Sequence, residues 1–417
     1  MVSLQLGAAV IGITPEPGLL LAGFAARNAA STGIHDPLSA RAVVVNDTAI
    51  VVADVIGLHE DMARRIRERC ALPASNVIVC ATHTHGAPVS MPDRLGFGAD
   101  PQFLEKLEDS CVLAIDTALA NAGAGSLTYG LGNDPDVARN RRHADGLLDR
   151  AVPVLRLRDS SGTLVAFIVS YACHPTVLGA DNLLVTADFP HYVRQRIEAE
   201  NPGAIAIYLN ACTGDANIGH TAQASWSTAA NANRTFENAR RLGDLIAVAA
   251  MAAPETPAGN AVHAADLEVE LRLERREGDL ALVSSAWQAE LAGADATRKI
   301  LLEHWIAWAG RFEGVAPGSW SGRVAFLDWG GFPIVALPGE IFAETALKVR
   351  SSGMGETGFV LSYAEGTPGY IPPRSEYSSG GYEVDEAHRF IGMPGSFVAG
   401  SAERLADGVI SLIAQRP

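Results

Sequence analysis

Two histidines separated by one residue, His83 and His85, have the type and spacing for chemistry. They follow residues 76–80, an apolar run with β-branched side chains that predicts a buried strand. In an extended segment, side chains two positions apart point to the same side, so both imidazoles are expected to face one place. This suits a metal ligand beside an acid–base group, although a lone pair of histidines is equally typical of a polar loop edge.

Polar residues with the same setting follow other predicted strands. They are His174, Asp215 and Glu340, each with Gly or Pro close by. Mixed α/β sheets aim several loops at one place, and two histidines with a glutamate form a common catalytic zinc set that leaves a fourth position open. Taken singly, His174 is better explained as a turn residue and Glu340 as a helix N-terminal residue. Taken together, they favour a metal site.

The elements that would position these residues mix strands and helices without strict alternation, which predicts an α/β fold. Asp54 also lies at a strand end, where polar side chains are often functional. A helix is expected to begin at residues 338–340. Strands are predicted at residues 4–13, 40–45, 49–54, 76–80, 126–131, 151–157, 163–171, 204–209, 267–273, 323–329, 332–337 and 359–363. Helices are predicted at residues 60–70, 100–122, 189–201, 231–253, 279–312 and 402–414.

The composition is that of a protein with a large core and an acidic surface. Hydrophobic residues make up 48% of the 417 residues, and the net charge of −15 opposes binding to nucleic acid or to anionic membranes. Five scattered cysteines, with no Cys-x-x-Cys pair, indicate neither a disulfide framework nor a cysteine zinc site. With no secretory signal and no spanning run, we expect a cytoplasmic protein without membrane insertion, although a secreted form with its signal removed would look the same.

Six sequence elements, in order, resemble those of the neutral/alkaline (non-lysosomal) ceramidases, and the resemblance covers nearly the whole chain. They are residues 33–42, residues 82–88, Asn140-Arg141, residues 173–176, residues 337–340, and the series Tyr370, Glu376, Tyr377, Tyr382 and Glu383. The resemblance implies one catalytic domain over residues 1–417, with mixed β-sheets in layers flanked by helices. The immunoglobulin-like C-terminal domain expected of full ceramidases is not part of this sequence.

The resemblance also implies roles for individual residues. A zinc ion would be held by four ligands, His83, His174, Glu340 and Tyr370, and His85 would act on the metal-bound water. Zinc lowers the pKa of bound water to about 7, and a neutral histidine can take and return the proton. Arg141 and Tyr382 would donate hydrogen bonds to the substrate carbonyl or to its developing oxyanion.

One position departs from the family pattern. Ceramidases carry a serine implicated in catalysis where this chain has Asn217, whose amide cannot be a nucleophile but could donate to a carbonyl oxygen. The substitution favours direct attack by zinc-bound water and argues against ceramide itself as the substrate. Cys212 could replace the serine, but a small buried residue is the better interpretation.

Other residues near the expected site have two interpretations. Asp188 and His191 either orient a ligand or begin a helix, and the tryptophans of residues 279–320 either line an apolar pocket or pack in the core. Oligomeric state is not readable from the sequence.

The sequence therefore predicts a zinc-dependent amidohydrolase for a small acylated molecule. Its substrate is expected to be smaller or more polar than ceramide, and cleavage falls on a linear amide bond. Two alternatives stay open: an esterase or lactonase that uses the same zinc site, and a non-catalytic homologue that binds an acylated ligand.

Overall fold

The computed structural model describes residues 3–96 and 98–416, which form four layers. Two β-sheets lie face to face, and helices cover the outer face of each sheet. Hydrophobic clusters fill the interfaces between the layers, because each sheet has two apolar faces to bury. The predicted α/β fold, with mixed sheets in layers flanked by helices, is confirmed.

The first sheet has eight strands in one path, with a short ninth strand, Thr256–Pro257, beside it. Only the pairs at the two ends of the path are parallel, and the pairs between them are antiparallel. Along the path the strands are Ile205–Asn210, Leu164–Tyr171, Val152–Asp159, Gly123–Gly132, Leu4–Gly12, Ser39–Val45, Thr48–Ala53 and Val77–Ala81.

This sheet curls until its two edge strands, Ile205–Asn210 and Val77–Ala81, contact each other. Arg41 donates from the middle of the sheet to the carbonyl oxygen of Ala206 at 2.7 Å. Asp54 is a buried ion-pair partner of Arg194, with N–O distances of 2.6 and 2.9 Å, so this strand-end carboxylate braces the curl instead of facing a site. As a result, loops from both edges of the sheet open at one place.

The second sheet packs its inner face on the first. Leu327, Trp329 and Ile334 share a core with Leu6 and Val43 of the first sheet. The strands, in order, are Phe359–Leu361, Phe332–Ala336, Ser319–Trp329, Val262–Glu274 and Ser396–Phe397.

Helices cover both outer faces. Pro101–Ala120 lies on the first sheet, and it begins as predicted where the Asp100 side chain accepts a hydrogen bond from the Phe103 backbone N–H. Ser401–Ile413 covers the second sheet. The other α-helices in the described residues are Glu60–Arg69, Phe189–Glu200, Phe236–Met251, Leu280–Leu291, Ala296–Phe312, Ala343–Val349 and Ala387–Ile391. None of the helices in these residues is both long and apolar enough to span a membrane.

Several predicted element boundaries are wrong, and two of them bear on the site. The helix expected over residues 231–253 begins at Phe236, because the Thr235 side chain caps it by accepting from the Asn238 backbone N–H, which leaves residues 231–234 in a loop. No helix begins at Glu340. Instead Glu340–Ile341 is a short strand that pairs in parallel with Tyr370–Ile371, and the helix follows at Ala343. This pairing places Glu340 beside Tyr370.

Candidate metal centre

His83 reaches the site by a different route from the one expected. The strand ends at Ala81, and His83 has a left-handed φ of +66°, so the segment with His83 and His85 is not extended. The backbone N–H of His83 donates to Val55 at 2.9 Å, and its ring stacks on Tyr363 with centroids 3.9 Å apart. The two imidazoles still converge, with 3.4 Å between the Nε2 atoms. Strained backbone of this kind is typical of functional sites.

The ring orientations of His83 and His174 are set by backbone carbonyls. His83 Nδ1 lies 2.5 Å from the oxygen of Ile56, and His174 Nδ1 lies 2.9 Å from the oxygen of Thr213. Since a carbonyl oxygen only accepts, each Nδ1 carries its proton and each Nε2 presents a lone pair. Those two lone pairs face each other across 2.7 Å.

Glu340 adds a negative charge to these lone pairs. Its Oε2 lies 3.4 Å from His83 Nε2 and 3.6 Å from His174 Nε2, is buried, and has no hydrogen-bond partner in the described part of the chain. These three acceptors converge without a donor between them. Unless a cation lies there, the two lone pairs have no partner and the charge of the carboxylate is not compensated. The donor set of two imidazoles and a carboxylate, with Nδ1 of each imidazole bonded behind it, fits a zinc ion.

Tyr370, the fourth expected ligand, is held beside Glu340 by the strand pairing. Its hydroxyl accepts a hydrogen bond from Arg141 Nη2 at 2.9 Å. Burial raises the pKa of the Tyr370 phenol, while the charge of Arg141 lowers it. A bound cation would act in the same direction as Arg141 and favour the phenolate that a ligand requires.

His85 is the third histidine of the cluster, and a ring nitrogen of each of the three histidines lies within 4.8 Å of the others, close enough to hold a metal ion. Burial, followed by the charges of His83 and Arg27, lowers the pKa of His85 well below its usual value. The imidazole is therefore neutral at physiological pH, and its Nδ1 is buried without a partner. A general base and a metal ligand both need a neutral imidazole with a free lone pair, so the lowered pKa is compatible with either role for His85.

Arg141 is clamped in one orientation. Its Nε donates to Glu383 at 2.9 Å and its Nη2 to Tyr370, while Glu383 also pairs with the neighbouring Arg142. A guanidinium held this firmly can direct its remaining donors at a substrate without losing side-chain freedom.

Asn217 lines the site, but its side chain serves a local turn. The Oδ1 accepts from the backbone N–H groups of Gly219 (2.7 Å) and His220 (3.0 Å), and the Nδ2 donates to the carbonyl of His220 at 2.7 Å. The neighbouring Asp215 binds Asn140 and the backbone of Ala343, both at 2.9 Å, and so ties three segments of the site together. Its role here is in the scaffold.

All eight residues predicted for the site line one cavity of about 30 Å³, which has room for about two water molecules. A second, largely apolar cavity of about 180 Å³ adjoins it, and five residues line both: Gly23, Phe24, Leu95, Ser225 and Tyr382. The site therefore has a small polar end, where the histidines lie, and a larger apolar end.

The remaining candidates lie outside the cavity. Cys212 is fully buried with its Sγ near the carbonyl oxygen of Val360, and burial raises the pKa of its thiol. Asp188 caps the helix that begins at Phe189, and His191 lies 3.6 Å from Asp36. Trp305 and Trp308 are buried against other helices, and they do not line either cavity.

Sequence reasoning missed the residues that loops bring to the cavity. They come from residues 20–27, which carry Gly23 and Phe24, and from residues 220–234, which carry His220 and Arg234. The one available signal was the isolated glycine at Gly23, which the structure places in the left-handed region with a φ of +97°.

The fold and the site define a layered α/β protein with a cluster of histidines and a glutamate, placed where strands end, that could hold a metal ion. More particularly, the chain belongs to the neutral/alkaline non-lysosomal ceramidase family, because the sequence model of the N-terminal region of that family matches residues 4–224. The predicted resemblance is thereby confirmed. The matched region contains five of the eight predicted site residues, His83, His85, Arg141, His174 and Asn217.

Two curated relatives are the neutral ceramidases of Drosophila melanogaster and Drosophila pseudoobscura pseudoobscura. Each is 29% identical to this chain over an alignment of 210 residues, which covers 43% of this chain and 30% of the relative. The chain thus matches less than a third of the length of these relatives.

Two solved structures share the fold over the whole chain. The neutral ceramidase from Pseudomonas aeruginosa has a TM-score of 0.75 at 17% identity, and 75% of that chain is covered. A ceramidase complexed with C2 has a TM-score of 0.74 at 17% identity, with 76% covered. Because the fold likeness covers the whole chain, it includes the part after residue 224, which contains Glu340, Tyr370 and Tyr382.

Proposed function

We propose that this protein is a zinc-dependent hydrolase that cleaves the amide bond of a small acylated substrate. The observation that carries the proposal is the convergence of the Nε2 lone pairs of His83 and His174 with the unpaired carboxylate oxygen of Glu340. Family membership supports hydrolysis of an amide, and the apolar cavity beside the site supports an acyl chain.

His83, His174 and Glu340 would hold the zinc ion, with Tyr370 as the fourth ligand. When bound, zinc supplies a Lewis acid and lowers the pKa of a water molecule to about 7.

His85 is the group that handles the proton. Its lowered pKa keeps the imidazole free to accept a proton from the attacking water at neutral pH. The same nitrogen can then return the proton to the leaving amine nitrogen when the bond between carbon and nitrogen breaks.

Arg141 and Tyr382 hold the substrate carbonyl. Burial raises the pKa of the Tyr382 phenol, which keeps its proton available for donation. Donors fixed before the reaction stabilise negative charge that develops on the carbonyl oxygen in the transition state. Because Asn217 is not a nucleophile and its amide closes a turn, these groups support direct attack by water without an acyl-enzyme.

Zinc content and amide hydrolysis test the proposal together. Purified protein should hold one zinc ion per chain, measured by elemental analysis, and should release amine from N-acyl substrates. His174→Ala and Glu340→Gln should lose both the metal and the activity, since each removes one of the converging acceptors. His263→Ala is the matched control, because His263 lies in the strand Val262–Glu274 away from the cavity.

Several outcomes would contradict the proposal. Full activity in metal-free protein would exclude the zinc role. Cleavage of esters or lactones with no cleavage of any amide would identify an esterase or lactonase instead of an amidohydrolase. Tight binding of acylated molecules without turnover of any of them would identify a binding protein.

A further inference from the structure

Buried polar atoms without partners concentrate in the catalytic cavity. Within residues 3–96 and 98–416, five such atoms belong to residues that line it. They are His85 Nδ1, Thr176 Oγ1, His220 Nε2, Arg234 Nη1 and Glu340 Oε2. Polar atoms buried without partners are rare in native proteins, so a cluster of them marks a place where a ligand completes the hydrogen bonds. The proposed mechanism uses His85 and Glu340 and leaves the other three unexplained.

Arg234 is the most unusual of the three, because it is a charged group. It lies in the loop before the helix Phe236–Met251, and its guanidinium carbon is 5.7 Å from the centroid of the Phe24 ring. Gly179 leaves room for it: a Cβ at that position would lie 2.8 Å from Arg234 Cδ and 3.0 Å from Nη1. Burial lowers the pKa of Arg234, and the attraction of Asp181 and Asp188 offsets only part of this effect.

The two carboxylates whose charges attract Arg234, Asp181 and Asp188, do not form ion pairs with it in the described residues. Asp188 attracts its charge, but the oxygens of Asp188 already accept hydrogen bonds from the backbone N–H groups of Leu178 and Phe189. Asp181 also attracts it, from an exposed position, without forming an ion pair with it in the described part of the chain. Arg234 is half-buried, and its Nη1 is fully buried without a partner in the described part of the chain. A guanidinium nitrogen buried without an acceptor is costly, so its presence points to an anion that binds there.

His220 lies close to Arg234 and offers a second group to the same anion. Burial, followed by the charge of Arg234, lowers the pKa of His220 to about 4. Its neutral ring has a buried Nε2 without a partner, and the hydroxyl of Thr176 is a further free donor. All three residues line the small cavity and none lines the apolar one.

We propose that the substrate is an N-acyl amino acid, whose carboxylate binds Arg234 and His220 while its acyl chain occupies the apolar cavity. This inference rests on the proposed function. A planar carboxylate matches the fork of a guanidinium and forms charge-assisted hydrogen bonds with it. A neutral hydroxylated amine, such as the head of a ceramide, would leave the Arg234 charge unpaired.

The reaction balances without any further reactant. Water adds its oxygen to the acyl carbon, the bond between that carbon and the nitrogen breaks, and the nitrogen takes a proton. The products are a fatty acid and a free amino acid, whose carboxylate stays bound to Arg234 until release.

A matched pair of substrates tests the inference on the zinc-loaded protein. N-octanoylglycine carries the carboxylate and N-octanoylglycinamide lacks only its charge. The ratio of their kcat/KM values should favour the acid by about 10- to 100-fold, the range for a charge-assisted hydrogen bond to a desolvated partner. Arg234→Met should collapse this ratio, mainly through the KM of the acid, and Arg234→Lys should restore part of it. Arg240→Met, an exposed arginine in the same region, should preserve the ratio.

Failure of this inference is distinguishable from failure of the proposed function. Equal kcat/KM values for the acid and its amide would overturn the inference while leaving the hydrolase intact, and so would an unchanged ratio in Arg234→Met. If no amide is cleaved at all, a binding measurement still tests whether the site recognises a carboxylate. The keto isostere of N-octanoylglycine, with a methylene in place of the amide nitrogen, should bind about 10-fold more tightly than its neutral amide, and equal binding would overturn the inference.

Discussion

The position of His85 depends on a residue with no side chain. Gly23 lies against the imidazole in the left-handed region, with a φ of +97°. A Cβ built there would lie 2.3 Å from His85 Nδ1 and 2.7 Å from Ile56 Cδ1, which is well inside van der Waals contact. Because the Ile56 carbonyl also orients His83, any shift at this point reaches both histidines.

Gly23→Ala should therefore impair catalysis more than stability. Displacement of a catalytic group by about 1 Å costs on the order of 10²-fold in rate, and the loss should fall on kcat. Gly18→Ala is a close control, because Gly18 has a φ of +116° but nothing within 4 Å of its Cβ position. Steady-state kinetics with thermal unfolding of both variants measures the difference. An equal loss of activity in the two variants would show that backbone strain, and not contact with His85, causes the loss.

At this scale the sequence predicted residue types well and backbone conformation poorly. Strand-end motifs named four residues that line the cavity, His83, His85, His174 and Glu340, and the family resemblance named the other four, Arg141, Asn217, Tyr370 and Tyr382. Their individual roles stay predictions. The left-handed His83 was not predicted, because tertiary hydrogen bonds to Val55 and Ile56 hold it there. Arg234 was missed because a loop arginine has no local signal. Only its burial beside Gly179 and Phe24 distinguishes it.

The strand that leads into the site is tied to the second sheet by a buried carboxylate. Glu365 Oε1 accepts from the backbone N–H of Val79 at 2.9 Å, and its Oε2 lies 2.9 Å from both Arg67 and Arg323. Arg323 in turn donates to the carbonyl of Val77 at 2.9 Å. One carboxylate therefore joins the strand Val77–Ala81, the helix Glu60–Arg69 and the strand Ser319–Trp329.

Glu365→Ala should lower the free energy of unfolding by about 3–5 kcal/mol, because it leaves the largely buried Arg67 without its anion and Arg323 with Asp266 as its remaining carboxylate. Glu365→Gln keeps an acceptor for Val79 and should cost less. Urea unfolding monitored by circular dichroism gives both values. Glu68→Ala removes the exposed partner of Arg64 and should leave the midpoint unchanged. A midpoint for Glu365→Ala equal to that of the wild type would show that the ion pairs of Glu365 do not contribute to stability.

Local patterns predicted most elements, but not how they assemble. Apolar stripes and capping residues gave the helix Pro101–Ala120 and the hairpin of Ser39–Val45 with Thr48–Ala53 close to their observed bounds. The curl that brings the two edges of the first sheet together is not local. It depends on contacts between residues far apart in sequence, such as Asp54 with Arg194 and Arg41 with Ala206. Likewise the parallel pairing of Glu340 with Tyr370 overrides the helical tendency of residues 338–340.

Across the whole molecule, arginine–carboxylate pairs of this kind fasten helices and loops to the sheets. Glu60, at the start of a helix, pairs with Arg94 in the loop that carries Leu95, with N–O distances of 2.6 and 2.9 Å. It also accepts from the indole of Trp320 in the second sheet at 3.0 Å. A single carboxylate thus holds the loop with Leu95, which lines both cavities, against two layers.

The pH dependence of stability should reflect this pair. Burial opposes ionisation of Glu60, but Arg94 prevails and lowers its pKa from 4.5 to about 2. A depressed carboxyl pKa stabilises the folded state above the unfolded pKa, and the stabilisation is lost as pH falls from about 4.5 to about 2. The shift corresponds to about 3 kcal/mol. Glu60→Gln lacks this term at every pH, so its deficit relative to the wild type should be full at neutral pH and should vanish towards about pH 2.

Urea unfolding of both proteins across this range, in chelator so that release of metal does not contribute, measures the deficit. Glu68→Gln, which alters an exposed carboxylate on the same helix, should follow the wild-type curve throughout. A deficit for Glu60→Gln that stays constant with pH would mean that the carboxyl contributes through packing alone. Because Arg94 lies next to Leu95 at the junction of the two cavities, the loss of the pair should also loosen that junction, and a higher KM for N-acyl substrates in zinc-loaded Glu60→Gln than in the wild type at neutral pH would report it.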